Sequence, residues 1–318
     1  MRKPRPEPPA ISIVTAVYNC LPLTRAMVDS LVASLPAGLS YEVILVDDGS
    51  TDGTREWLAT LRAPFHVLLN PRNLGYAASN NRGAAAAQGR MLAFLNNDLV
   101  LSGGWLQPMI SALEALGARA GMVGNVQVAA ATGDVDHSGI WVTENGKTEH
   151  DRRAPGLLAR LLEPEPAVFA VTGACMLVRA QAWRRLGGFD EGFSNGCEDV
   201  DLCLRAGRLG LINVVALRSR VLHHVSSSPG RKDRDEQNAM RLVMRWRPEL
   251  ALASSRRWAW AYFRRRAPQP RSFGSVAQAI HFALYLMHMS PSPPEPILEA
   301  RYGAIELEFA RWRVMFAD

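Results

Sequence analysis

Tyr41–Thr54 reads YEVILVDDGSTDGT. Its first half, Tyr41 to Val46, is apolar and β-branched, the pattern of a buried strand. The run stops at Asp47-Asp48-Gly49-Ser50, and helical spacing follows over Thr51–Leu61, with Thr51 or Asp52 as a cap. The unit recurs on either side. Ile11–Val17 precedes a helical Leu23–Leu35, Phe65–Leu69 precedes Tyr76–Gln88, and Met91–Leu95 precedes Trp105–Leu116 and a fifth strand, Ala120–Val126. Strands alternating with helices of this length predict a parallel sheet covered on both faces. Ligands of such sheets bind beyond the carboxyl ends of the strands. Here three of those ends carry Tyr18-Asn19, Asp47-Asp48 and Asn96-Asn97-Asp98.

Beyond Val126 the pattern weakens into a polar stretch reaching Pro166. It sharpens again in Ala167–Val178 (a strand pair or one long buried strand), a helix over Glu198–Leu209, and two strands, Leu211–Ala216 and Arg220–His224. Ser226–Arg231 reads as a boundary loop, and the remainder is helical near Asp233–Trp246, Pro248–Arg266, Val276–Met289 and Ile297–Phe316. The expected organisation is a loose arm (1–10), an α/β domain (11–228, with halves 11–126 and 127–228) and a helical appendage (229–318). The chain has 318 residues, and its net charge of +6 is confined to the appendage: residues 1–224 carry 21 basic and 21 acidic side chains, residues 225–318 carry 15 and 9. A neutral body with a basic tail argues against a nucleic-acid binder built around its core. The four cysteines have neither C-x-x-C pairing nor zinc spacing, which predicts a reducing, cytoplasmic setting. Ser275–Met289, the longest apolar run, is too short for a bilayer span.

Each chemical motif has a bland reading beside a sharper one. Asp47–Thr54 could be only a tight turn and a helix cap, or its carboxylate could accept hydrogen bonds from a nucleobase or ribose. No G-x-G-x-x-G follows the first strand and no G-x-x-x-x-G-K-[ST] occurs, so dinucleotide and P-loop chemistry lose their support. Asn96-Asn97-Asp98 is a weak metal site alone, but magnesium or manganese can borrow oxygens from a bound diphosphate. Glu198-Asp199-Val200-Asp201 could simply satisfy a helix N-terminus. Asp201 has i,i+4 spacing to Arg205, which leaves Glu198 and Asp199 as candidate general bases. His223-His224 ends a strand, so at most one of the two faces a given site.

Taken in order across Ile11 to Ser228, these pieces resemble the inverting nucleotide-sugar glycosyltransferases of family two, with the GT-A fold. The matching residues are Val17-Tyr18-Asn19, the VDDGSTDGT run, Asn73-Leu74-Gly75-Tyr76 with Asn80-Asn81-Arg82-Gly83, Asn96-Asn97-Asp98 at the D-x-D-like metal motif, Gly188-Phe189-Asp190-Glu191, and Glu198-Asp199-Val200-Asp201. The nearest flavour is the bacterial rhamnosyltransferase-like branch that builds surface polysaccharides.

The resemblance implies a Rossmann-like, mostly parallel sheet with helices on both faces, plus a C-terminal helical appendage. It implies that Asp48 binds the donor base, near Ala16 and Tyr18, with Asn19, Asn73, Gly75, Asn81 and Asn97 also on the nucleotide-sugar side. Asp98 would hold a divalent cation (Mn2+ or Mg2+), with His223, ahead of His224, as second ligand. Asp199 would be the catalytic base, ahead of Glu198. The expected partners are a UDP-, dTDP- or GDP-linked sugar and a hydroxyl acceptor on a glycan, lipid-linked glycan or protein. Asparagines at 96 and 97, where the family has its first acid, depart from the pattern and weaken intrinsic metal binding.

Two rival readings stand beside this. A nucleotidyltransferase usually needs a glycine-rich basic loop after the first strand, where this chain has Val17-Tyr18-Asn19-Cys20. A non-catalytic carbohydrate- or nucleotide-binding protein would explain the lost acid but not the retained Glu198-Asp199. In the appendage, nine arginines and one acid, Glu249, lie between Arg241 and Arg271, interleaved with Trp246, Trp258, Trp260, Tyr262 and Phe263. That mixture reads either as a helical domain with a solvated basic face or as a face that meets an anionic membrane surface or an anionic lipid-linked or polysaccharide acceptor.

Overall fold

The computed structural model describes residues 7–156, 165, 167–224, 234–266 and 276–317. The expected boundary loop Ser226–Arg231 lies outside them. The first half follows the apolar pattern: β1 (Ile11–Val17), α1 (Leu21–Ser34), β2 (Tyr41–Asp47), α2 (Thr54–Leu58), β3 (Phe65–Leu69), α3 (Tyr76–Ala86), β4 (Met91–Leu95), β5 (Leu99–Leu101) and α4 (Leu106–Leu116). Then come β6 (Ala120–Ala129), β7 (Val135–His137), β8 (Ile140–Val142), β9 (Thr148–His150), β10 (Cys175–Arg179), α5 (Ala180–Leu186), α6 (Glu198–Arg208) and β11 (Ile212–His223). The last elements are α7 (Asp235–Arg266), α8 (Val276–Leu286) and α9 (Glu295–Met315).

The main sheet runs β3-β2-β1-β4-β10-β6-β11-β5, with β7 on the side of β6. Strands β3, β2, β1 and β4 are parallel, as expected. Beyond them the sheet is mixed. β10 enters antiparallel to both β4 and β6, β6 and β11 are parallel, β5 runs antiparallel to β11, and β7 runs antiparallel to β6. Pairing Cys175 with Leu95 brings the start of β10 to the carboxyl end of β4. That reversal adds residues 173–174 to an edge otherwise made of strand ends. The core beneath includes Ile13, Leu31, Leu45, Trp105, Leu113 and Leu177, all essentially buried. On the other face α3 packs on β1 and β2. Gly83 permits that approach, since a Cβ there would lie 2.5 Å from Val14 Cγ1.

Some local expectations are revised. α2 begins only at Thr54, because Asp52 Oδ1 accepts the Thr54 amide (3.2 Å) and hydroxyl (2.6 Å) in a turn that holds the chain back. The two strands expected at 211–224 are one, β11, whose register with β6 shifts between Ala216 and Arg220.

The chain divides into two compact units: Met1–Ile140 with His150–Asp235, and Trp141–Glu149 with Glu236–Asp318. The second therefore takes nine residues from the middle of the sequence, where the expected division had none. In it the two helices expected at 233–246 and 248–266 are present, meeting within α7 at a break in helical geometry at Trp246 (φ −120°), two residues before Pro248. Ala259, Phe282, Tyr285 and Ile297 form a core. Lys147 Nζ pairs with Glu236 (2.8 Å) and Glu308 (3.1 Å), Trp312 Nε1 donates to Glu236 (2.6 Å), and Arg301 donates to the Glu144 carbonyl (2.6 Å). Three of the interleaved arginines lie over rings: Arg257 is 3.8 Å from the Trp141 centroid, Arg256 4.5 Å from Tyr285 and Arg264 5.4 Å from Trp260, while Arg301, from α9, is 4.2 Å from Trp258.

Candidate active site

All of the candidate residues fall in the first unit, and most gather at the strand ends. After β1, Tyr18 is 42% exposed and Asn19 adopts a left-handed φ of 53°. Asn19 Oδ1 accepts the Thr51 amide (2.8 Å), and its own amide donates to Ser50 Oγ (2.8 Å), so it ties β1 to the turn after β2. Ala16 is half-buried one residue before the end of β1. Buried Asp47 accepts the Gly49 and Ser50 amides and pairs with Arg55. Asp48, also buried, points elsewhere: Oδ1 accepts from Asn70 Nδ2 and the Leu74 amide (both 2.8 Å), and Oδ2 accepts the Gly75 amide (2.9 Å). Asn73 Oδ1 accepts the same Gly75 amide at 3.0 Å. Asp48, Asn73 and Gly75 thus form one small turn. A carboxylate has about four acceptor positions, and three of those on Asp48 hold this turn. Asn70, which also donates to Ser79 Oγ (2.8 Å), is a hub that the sequence did not suggest.

Two other asparagines use their amides away from this turn. Asn97 Nδ2 donates to Thr24 Oγ1 on α1 (3.0 Å). Asn81, on α3, accepts the Phe189 amide and donates to the Phe189 carbonyl and Glu191 (each 2.9 Å), clamping the loop before α6.

Asp98 follows β4 and is 6% exposed. Its Oδ1 is buried, has no hydrogen-bond donor among the described residues and lies 3.3 Å from Nε2 of buried His223, the last residue of β11. His224 meets Asp98 through its backbone amide, 3.0 Å from the Asp98 carbonyl. On the far side of the ring, His223 Nδ1 lies 3.5 Å from Asp136 Oδ2 on β7. Chiefly through the close His223 ring, and against burial, the Asp136 carboxyl is held below its usual range. The neighbouring His137 is buried, which pushes its pKa well down and keeps it neutral; its Nε2 accepts the Thr172 amide at 3.4 Å.

Among the described residues no three metal-ligating side chains converge. Asp98 and His223 offer one oxygen and one nitrogen, and a hard divalent cation requires more. A buried carboxylate oxygen facing an imidazole nitrogen, with no donor among the described residues, fits a cation that completes its shell from a diphosphate and water.

At the start of α6 the two candidate bases separate. Glu198 is 6% exposed, and its Oε2 accepts the Gly196 amide at 2.6 Å. Asp199 is half-buried, and its Oδ2 accepts the Gly173 amide at 2.8 Å. The expected Asp201–Arg205 pair forms at 2.8 Å. Gly173 also accepts the Tyr76 hydroxyl on its carbonyl (2.8 Å), while the next residue, Ala174, accepts the Asn96 amide (2.8 Å). Residues 173–174 therefore link Asp199, α3 and the Asp98 edge.

A Cβ on Gly173 would stand 2.7 Å from Tyr76 Oη. Gly173→Ala is expected to displace Tyr76 and the Asp199 anchor, costing about 1–3 kcal/mol of stability by overcrowding. Urea midpoints check this, and Tyr76→Phe in the same chain should restore part of the loss.

The family pattern described as Glycosyl transferase family 2 matches residues 12–186, and that described as Glycosyl transferase family group 2 matches residues 120–298. The O-antigen biosynthesis protein RfbC of Myxococcus xanthus is 34% identical over 230 residues, which are 69% of this chain and 18% of that protein. An N-acetylglucosaminyl-diphospho-decaprenol L-rhamnosyltransferase of Mycobacterium tuberculosis is 28% identical over 250 residues, covering 70% of this chain and 78% of that one. The chain spans only 28% and 18% of the first two curated relatives it matches. The crystal structure of GalNAc-T7 with UDP, GalNAc and Mn2+ superposes with a TM-score of 0.61 over 88% of this chain and 55% of that one, at 17% identity, a likeness of fold.

Proposed function

Because the chain belongs to glycosyl transferase family 2 and has the GT-A fold, we propose that it moves a sugar from a nucleoside-diphosphate donor to an acceptor hydroxyl, inverting the anomeric centre, in the synthesis of a bacterial surface glycan. The observation that carries this reading is the link, through the backbone of residues 173–174, between a half-buried carboxylate (Asp199) and the strand end that bears the buried Asp98–His223 pair.

In this reading the donor base lies against Asp48, Ala16 and Tyr18. Asn73 and Gly75 shape the turn that receives it, Asn19 holds the turn after β2 beside it, and Asn97 and Asn81 fix the flanking helices α1 and α3. Asp199 takes the proton of the acceptor hydroxyl as that oxygen attacks the anomeric carbon. The sugar–phosphate bond breaks on the opposite face, and its electron pair leaves with the nucleoside diphosphate. Asp98 and His223 are the residues that would hold Mn2+ or Mg2+, which when bound supplies Lewis-acid charge to the leaving phosphate. Glu198, buried and bonded to Gly196, supports the start of α6.

The test supplies UDP-, dTDP- and GDP-sugars with Mn2+ and a lipid-linked N-acetylglucosamine acceptor, the kind named for the mycobacterial relative. Acceptor-dependent release of nucleoside diphosphate from one donor supports the proposal. Release of none after a broad screen overturns it, and formation of pyrophosphate from a sugar phosphate and a nucleoside triphosphate favours nucleotidyl transfer.

No helix among the described residues is long and apolar enough to cross a membrane. We infer a peripheral contact instead, made by the second unit with anionic lipid. Trp260 is 49% exposed one turn from exposed Arg264, which lies over its ring. An aromatic and a cation side by side suit a headgroup surface. Sedimentation with vesicles should show stronger binding to phosphatidylglycerol-containing than to neutral vesicles; equal binding rejects the contact.

A further inference from the structure

His223 stands between two carboxylates that come from distant parts of the sequence. Asp98 Oδ1 faces Nε2 at 3.3 Å, and Asp136 Oδ2 faces Nδ1 at 3.5 Å. A neutral imidazole has one N–H. A carboxylate beside one nitrogen draws the proton there and leaves the other nitrogen as a lone pair. Both nitrogens face a carboxylate; with a cation on Asp98 Oδ1, Asp136 is the carboxylate left to take the N–H, and the lone pair falls on Nε2.

Asp136 is an expensive residue to keep for packing alone. It is 8% exposed on the three-residue strand β7, and burying a carboxylate costs free energy unless a partner compensates. Its other charged neighbour, Arg152, is 3.5 Å away and 70% exposed, and such exposed partners stabilise little. His223 is the buried partner.

We propose that Asp136 is a positioning residue: it holds His223 as the Nδ1–H tautomer, with Nε2 presented to the cation beside Asp98. This rests on the reading of Asp98 and His223 as cation ligands. Nothing in the motif pattern points to it, because Asp136 comes from the polar stretch between the two recognisable halves.

The test measures Mn2+ binding by electron paramagnetic resonance, with and without UDP, dTDP and GDP, alongside metal-free melting temperatures. Asp136→Asn keeps the size of the side chain and removes its charge. It should weaken Mn2+ binding about 10–100-fold, the usual effect of losing an outer partner of a ligating histidine. In a His223→Ala background the same change should have no further effect, because Asp136 acts through the ring. Unchanged Mn2+ affinity in Asp136→Asn, or an equal loss with and without His223, overturns the proposal. If wild-type protein binds no Mn2+ even with nucleotide, the cation reading itself falls and this inference with it. A measurement needing no variant is the 15N–1H long-range spectrum of the ring in protein saturated with diamagnetic Mg2+ and nucleotide: a proton on Nδ1 supports the assignment, and a proton on Nε2 overturns it.

Discussion

Asp199→Asn should lower kcat about 10²–10⁴-fold, the usual worth of a general base, while leaving the melting shift produced by nucleoside diphosphate unchanged. That loss corresponds to about 3–5.5 kcal/mol of transition-state stabilisation. The substitution is gentle on the structure. Asparagine retains an oxygen for the Gly173 amide, which the carboxylate holds at 2.8 Å, so the start of α6 stays where it is. What disappears is the ability to take a proton. Glu198 cannot stand in, since it is 6% exposed and bonded to Gly196. Glu198→Gln should therefore cost far less than Asp199→Asn. Near-normal turnover by Asp199→Asn would sink the assignment, and the reverse ranking of the two variants would move the base to Glu198.

Asp98→Asn should separate binding from stability. With Mn2+ present, its affinity for the nucleotide should fall by at least about 100-fold, since even outer partners of metal ligands are worth about 10–100-fold. In EDTA its affinity should equal that of the wild type. Its metal-free melting temperature should hold or rise, because the native Oδ1 is buried without a hydrogen-bond donor among the described residues and removing such a group relieves a desolvation cost. Nucleotide titrations with and without Mn2+, paired with thermal melts, read both quantities. Affinity that is equal in the two proteins with Mn2+ present would reject Asp98 as a ligand.

The strands β1, β3 and β4 were legible to the residue because each is an apolar run that stops where a polar strand end begins. Strand direction was not. Cys175–Arg179 reads the same whether it runs with or against β4, since a strand buried on both faces has no alternation to orient it. The same limit hid the site's connections. Asp98, Asp199 and His223 stood out because each closes or opens an element with polar neighbours. Asp136 lies on an edge strand within a polar stretch, and only the antiparallel pairing of β7 with β6 carries it to His223. Asn70 was likewise a turn residue in sequence and a hub in space. The arginine–aromatic interleaving was visible, but whether those arginines face solvent or stack on rings depends on helix rotations that spacing alone leaves open.

The nine residues 141–149 also impose an order in time. Chains fold as they are synthesised, at roughly 5–20 residues per second. The hairpin carrying Trp141, Glu144 and Lys147 leaves the ribosome early. Its partners Glu236, Arg257, Arg301 and Glu308 arrive later, the last of them about 160 residues on, a wait of roughly 8–32 s at that pace. Until then an indole and a lysine amine must be kept apart from other nascent chains. A ribosome that stops before α9 leaves that wait without end, so a missing C-terminus harms the product through the middle of its sequence.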